Sequence, residues 1–164
     1  MRSRSLGEVS KKVVLMMILL ICTVSFIGCG RNSEDNLKIT EADNGIIREY
    51  IDNKTGNKIV VNEGHVYSAF KVLGTDKNEI YLWVLKENSV GSGGSMPVLL
   101  KASRVNGELS ITDFKIPRDG EEYVEDIKEM FPRYVRKQIY ADVNTYNAMI
   151  YELQEQINEL KKKG

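Results

Sequence analysis

The chain has 164 residues, with 23 Lys and Arg against 23 Asp and Glu, one histidine and two cysteines. That length supports one folded domain burying roughly two-thirds of the surface its unfolded chain exposes. The balanced charge, with no basic run interleaved with aromatics, excludes nucleic acid as an expected partner, and two cysteines exclude a disulfide-built scaffold.

Arg2, Arg4, Lys11 and Lys12 precede an uncharged stretch over residues 13–27, with Glu8 the only acid ahead of it. Positive charge before a short apolar run marks a leader whose start stays cytoplasmic. The run is shorter than the roughly 20 apolar residues of a spanning helix. It closes on Phe26-Ile27-Gly28-Cys29. This resembles the lipobox of bacterial lipoproteins, with Phe26 in place of the commoner Leu and small Gly28 before the cut. The resemblance implies cleavage between Gly28 and Cys29, a diacylglycerol thioether on Cys29, and attachment to the lipid bilayer at the extracytoplasmic face of the cell membrane. The alternative for these residues is an uncleaved N-terminal membrane helix.

Removing residues 1–28 discards Cys22 and leaves Cys29 as the sole, acylated cysteine, so stability must come from the core. The cut takes away four bases and Glu8, leaving 19 bases against 22 acids. Net charge therefore does not hold such a domain on an anionic membrane. The acyl chains do, at about 0.8 kcal/mol per buried methylene.

Residues 29–36 are polar and aperiodic and read as a flexible tether. An α+β domain is expected over 37–131, with an antiparallel sheet of five to seven strands reaching to about Pro117. Residues 46–51 and 58–62 read as strands around Asp52-Asn53-Lys54-Thr55-Gly56-Asn57, whose residue types suit a hairpin loop. Residues 65–73 alternate, with Val66, Phe70 and Val72 on one face and His65, Tyr67 and Lys71 on the other. Residues 80–85 are apolar on both faces, as in a covered central strand. A glycine-rich loop over 90–95 follows. Residues 98–105 and 109–116 form a last pair across Asn106-Gly107, a strong turn dipeptide. Such short connections favour antiparallel neighbours.

After Pro117, Asp119 and Glu122 are spaced as a capping box, and Tyr123, Ile127, Met130 and Phe131 share a helical face. Pro132 ends or kinks that short helix. Residues 132–164 read as one long amphipathic helix, its Lys161-Lys162-Lys163 end matching the negative pole of the helix dipole. Ile139, Val143, Tyr146, Ile150, Leu153, Ile157 and Leu160 repeat at four and three, with Val143, Ile150 and Ile157 at the a positions. Three readings stand: a coiled coil with a second copy, docking on a partner protein, or a helix lying across its own sheet.

Candidate chemistry is sparse. His65 is the only histidine, with no free cysteine beside it and no acid at metal-ligand spacing on its strand face, so a solvated strand histidine is expected. Residues 90–95 lack the lysine and following helix of a phosphate cradle. Residues 52–58 lack the oxygen ligands of a calcium loop. Glu121, Glu122, Glu125, Asp126 and Glu129 include spacings for a carboxylate pair, or simply form a solvated helix face. Tyr81 and Trp83 share a sheet face and either line a groove or pack beneath a helix.

No enzyme, cofactor or metal is expected. The leading expectation is a membrane-anchored extracytoplasmic lipoprotein acting as a non-enzymatic binding or scaffolding module. A small-ligand receptor using residues 90–95 over Tyr81 and Trp83 is the alternative, and a hydrolase is the weakest. The second half, with Trp83, Ser92-Gly93-Gly94-Ser95-Met96-Pro97, Pro117-Arg118-Asp119-Gly120 and Phe131-Pro132, resembles small uncharacterised lipoproteins from Gram-positive bacteria, which implies no activity.

Overall fold

A computed structural model describes residues 36–61 and 63–163. The leader, Gly28, Cys29 and all but the last residue of the tether lie outside them. Helix α1 (Asp43–Lys54) and a 3₁₀ turn (Gly56–Lys58) precede strands β1 (Val66–Asp76), β2 (Glu79–Asn88), β3 (Gly93–Val105) and β4 (Glu108–Lys115). A second 3₁₀ turn (Gly120–Glu122) then leads into α2 (Tyr123–Met130), α3 (Arg133–Ile139) and α4 (Val143–Lys163). The sheet has the order β1-β2-β3-β4, antiparallel throughout. Its last hairpin turns at Asn106 and Gly107, whose φ values of 54° and 87° are those of the two-residue turn that this dipeptide favours.

Four strands replace the expected five to seven. Residues 46–51 are helix rather than strand, and residues 52–57 are its last turn and exit rather than a hairpin loop. Ile47 and Ile51 stand four apart and are both fully buried, a helical repeat that the β-branched isoleucines disguise. The helix is also started and stopped by local chemistry. Just ahead of it, Thr40 donates its backbone N–H and its hydroxyl to Asp43 Oδ2 at 2.7 and 2.8 Å and accepts the Asp43 N–H on its carbonyl at 3.1 Å, which ties the first helical residue to the entering chain. Gly56, at φ 50°, then takes the left-handed conformation that lets the chain leave.

Two helices were expected after the sheet, and three form. The long helix over 132–164 is interrupted between Ile139 and Val143, where Asp142 starts α4 afresh. Its carboxylate accepts the N–H groups of Asn144 and Thr145 at 3.0 and 3.2 Å and the Thr145 hydroxyl at 2.7 Å. At the other helix start, Asp119 makes no side-chain cap, so the expected capping box with Glu122 is absent. Asp126 is held by Arg118 instead, through its N–H, Nε and Nη2 at 2.7–2.9 Å.

The sheet is covered on both faces. Ile80, Leu82, Val84, Val98 and Leu100 pack with Ile47 and Ile51 of α1. Tyr81, Trp83, Leu85 and Leu99 pack with Ile127, Phe131, Val135, Leu153 and Ile157 from the three later helices. β2 is thus the covered central strand that its doubly apolar pattern predicts.

One ion pair fastens α1 to the sheet, and a second ties α2 to the segment that enters it. Arg104 of β3 grips Asp43 at 2.5–2.8 Å and also donates to Lys38 O and Gly107 O. The guanidinium holds the Asp43 carboxyl down to about 2, and Arg118 does the same for Asp126. A carboxyl with a depressed folded pKa contributes stability above its unfolded value that is lost as pH falls through the folded one. Asp142 and Glu79 are also lowered, whereas burial raises Asp52, which works in the opposite sense. The urea midpoint should therefore fall as pH drops from about 4 to about 2, and the drop should be shallower in Asp43→Asn and Asp126→Asn. A midpoint unchanged over that window in the parent protein would contradict this.

Candidate functional site

His65 is exposed just before β1, its ring edge-on to Tyr67 at 4.5 Å and its N–H donated to Ser89 Oγ. No group of three His, Cys, Asp or Glu among the described residues is arranged to hold a metal. Residues 90–95 are only partly a loop, because Gly93, Gly94 and Ser95 belong to β3 and pair with Glu87, Lys86 and Leu85. Gly94 lets two backbones approach closely: a Cβ there would lie 2.3 Å from Ile59 O. Tyr81 and Trp83 lie beneath the helices. Trp83 meets Tyr146 of α4 edge-to-face at 5.6 Å, and Tyr81 meets Phe131 at 5.9 Å. Of the acids in and just before α2, Asp126 is bound by Arg118, while Glu121, Glu122, Glu125 and Glu129 are exposed.

On α4, Met149, Leu153 and Ile157 face the sheet, with Tyr146 and Ile150 partly buried beside them. Val143, the first a position, is 67% exposed, whereas Ile157, the last, is fully buried. The heptad pattern thus conceals a stripe spaced by fours, which lies across the domain's own sheet.

One buried charge was not anticipated. Lys86 of β2 is fully enclosed and donates to Thr55 Oγ1 at 2.9 Å and Ile51 O at 3.4 Å, at the end of α1. Burial lowers its pKa against the opposing pull of Asp52, and burial raises Asp52 against Ser68, Lys86 and Arg48. An enclosed amine has no route to a substrate. Its placement beside the last carbonyls of α1 makes it a tie between helix and sheet.

One concave surface lies between α2 and α3 and reaches Tyr140 at the start of the α3–α4 turn. Pro132 breaks the chain after α2 in an extended conformation, and Arg136 Nη1 then donates back to Lys128 O at 2.8 Å. Arg133, Arg136, Lys137 and Tyr140 recur at i, i+3, i+4 and i+7, so they share one helical face. With Val124 and Lys128 of α2 they line an open depression of about 640 Å³ whose walls carry four cations and no carboxylate. No ion pair is formed by Lys128, Arg133 or Lys137 among the described residues.

Beyond Lys137 and Tyr140 lies a second groove of about 700 Å³ between the α3–α4 turn and β1. Leu73, Tyr146 and Met149 supply its apolar wall, and Lys71 and Glu152 form a 2.6 Å ion pair at its lining. Both volumes suit a small molecule. The sequence carried one signal of this site, the cations spaced on the short helix after Pro132, but reading 132–164 as a single helix hid the turn that shapes it. Among the described residues no helix is long and apolar enough to cross a membrane. No protein-family model, curated protein or solved structure matches the chain.

Proposed function

We propose that the protein is a bacterial lipoprotein held at the extracytoplasmic face of the membrane through acylated Cys29, and that its domain is a non-enzymatic binding module. The observation that carries the anchor is Gly28-Cys29 at the end of a short uncharged run behind four bases. The binding role is supported by the paired depressions at the α3–α4 turn, which combine an apolar wall with unpaired cations. Binding there is favoured over scaffolding through α4, because Leu153 and Ile157 of the heptad seam are already buried in the domain core. It is also favoured over a receptor built on residues 90–95, because helices cover Tyr81 and Trp83.

The test is metabolic labelling of producing cells with an alkyne fatty acid. The parent chain should take up label, sediment with membranes and yield an N-terminal peptide beginning at modified Cys29. Cys29→Ser should lose the label and the trimmed start together. A Cys29→Ser chain processed and sedimenting as the parent does would refute the anchor.

A further inference from the structure

We infer that Lys128, Arg133, Arg136 and Lys137, with Tyr140 and Val124, form a membrane-facing surface that takes the phosphates of anionic lipid headgroups. This rests on the lipid-anchor reading and adds the orientation of the domain.

Three observations carry it. The first is where the chain enters the domain. Leu37 donates its N–H to Asp76 O at 3.2 Å, while Tyr134 of α3 donates its hydroxyl to Thr75 O at 2.8 Å and Gln138 donates to Leu73 O at 2.7 Å. The incoming chain and α3 are therefore tied to the same end of β1. The second is reach. Asn36 stands seven positions after Cys29, and that stretch fully extended spans at most about 25 Å. The end of β1 that carries α3 can therefore stand no further than that from the acylated residue, and an attraction screened over about 8 Å then acts when the tether is slack. The third is charge complementarity. With residues 1–28 removed the chain carries 22 acids and 19 bases, so an anionic surface repels the domain as a whole and admits only a face where cations prevail. This face has four, with Tyr140 and Val124 half exposed between them. Arg pairs with phosphate through its planar fork, and a tyrosine suits the headgroup boundary. Of the α2 acids, Asp126 is bound to Arg118, which leaves Glu125 and Glu129 as opposing charges.

Full-length lipidated protein in vesicles tests this. With Cys22 cleaved off and Cys29 acylated, a thiol introduced as Tyr140→Cys or as Tyr151→Cys (Tyr151 being 69% exposed on α4) takes a fluorophore alone. Quenching by headgroup spin-labelled lipid reads the depth of each. On vesicles of phosphatidylglycerol and phosphatidylcholine, the label at 140 should be quenched about threefold more than that at 151. The difference should shrink in about 1 M salt, where screening falls to about 3 Å. Replacing Lys128, Arg133, Arg136 and Lys137 by Gln should erase it in a protein that still melts cooperatively, its melting temperature lowered only by loss of the Arg136 bond to Lys128 O, while Lys128→Arg with Lys137→Arg should preserve it. Equal quenching at the two positions, or an excess at 140 that survives the four Gln substitutions, overturns the inference while leaving the anchor intact. A protein that does not float with vesicles at all overturns the anchor reading and this inference together.

Discussion

Ending the chain at Asp142 should unfold the domain, and Ile157→Ala at full length should cost about 3 kcal/mol. Helix α4 supplies Met149, Leu153 and Ile157 to the core that contains Ala69, Trp83 and Leu85, with Tyr146 edge-to-face on Trp83. Large-to-small changes at such sites cost about 2–5 kcal/mol each, and losing three at once rivals the 5–15 kcal/mol that a whole domain has. Val143→Ala, by contrast, should change stability by less than about 0.5 kcal/mol, because that side chain is mostly in water. The pair is informative because both residues are a positions of the same apparent heptad. In an intermolecular coiled coil they would cost comparable amounts, and the urea midpoint would rise with protein concentration. Equal costs with a concentration-dependent midpoint would return the seam to a partner.

Lys86→Ala should cost about 3 kcal/mol, whereas Lys86→Met should cost less than about 1.5 kcal/mol. The alanine leaves a void where the enclosed side chain lay and removes the hydrogen bonds that the ammonium donates to Thr55 Oγ1 and Ile51 O. Methionine refills most of that volume without a charge to desolvate. Its remaining cost is the lost hydrogen bonds, partly repaid because Thr55 still donates to Ile51 O at 2.7 Å. Urea denaturation of the two variants side by side measures the contrast. Equal, large losses would show that the charge itself, rather than its bulk, holds α1 to the sheet.

Strands β1 to β4 were legible because their signals are local: alternation along residues 65–73, a doubly apolar run over 80–85, and Asn106-Gly107 at a turn that needs two positive φ values in succession. Helix α1 was misread because Ile46, Ile47, Tyr50 and Ile51 satisfy a strand by residue type and a helix by spacing. The bonds that tie Thr40 to Asp43 at its start lay outside the segment that carried the apolar residues. The end of the second helix at Tyr140 was missed for a related reason. Periodicity runs on through Ala141, and only the Asp142 side chain closing on Asn144 and Thr145 shows that a new helix begins.

Residue order by itself determined the leader pattern at Cys29, the strand alternation and the hairpin turn, since each depends on chemistry within a few neighbouring positions. Tertiary structure alone decided which face of α4 is buried, that a lysine could be enclosed against α1, and that cations from two helices converge beside Tyr140. Those outcomes depend on which distant surfaces meet, and a repeat along one helix is the same whether it covers its own sheet or another chain.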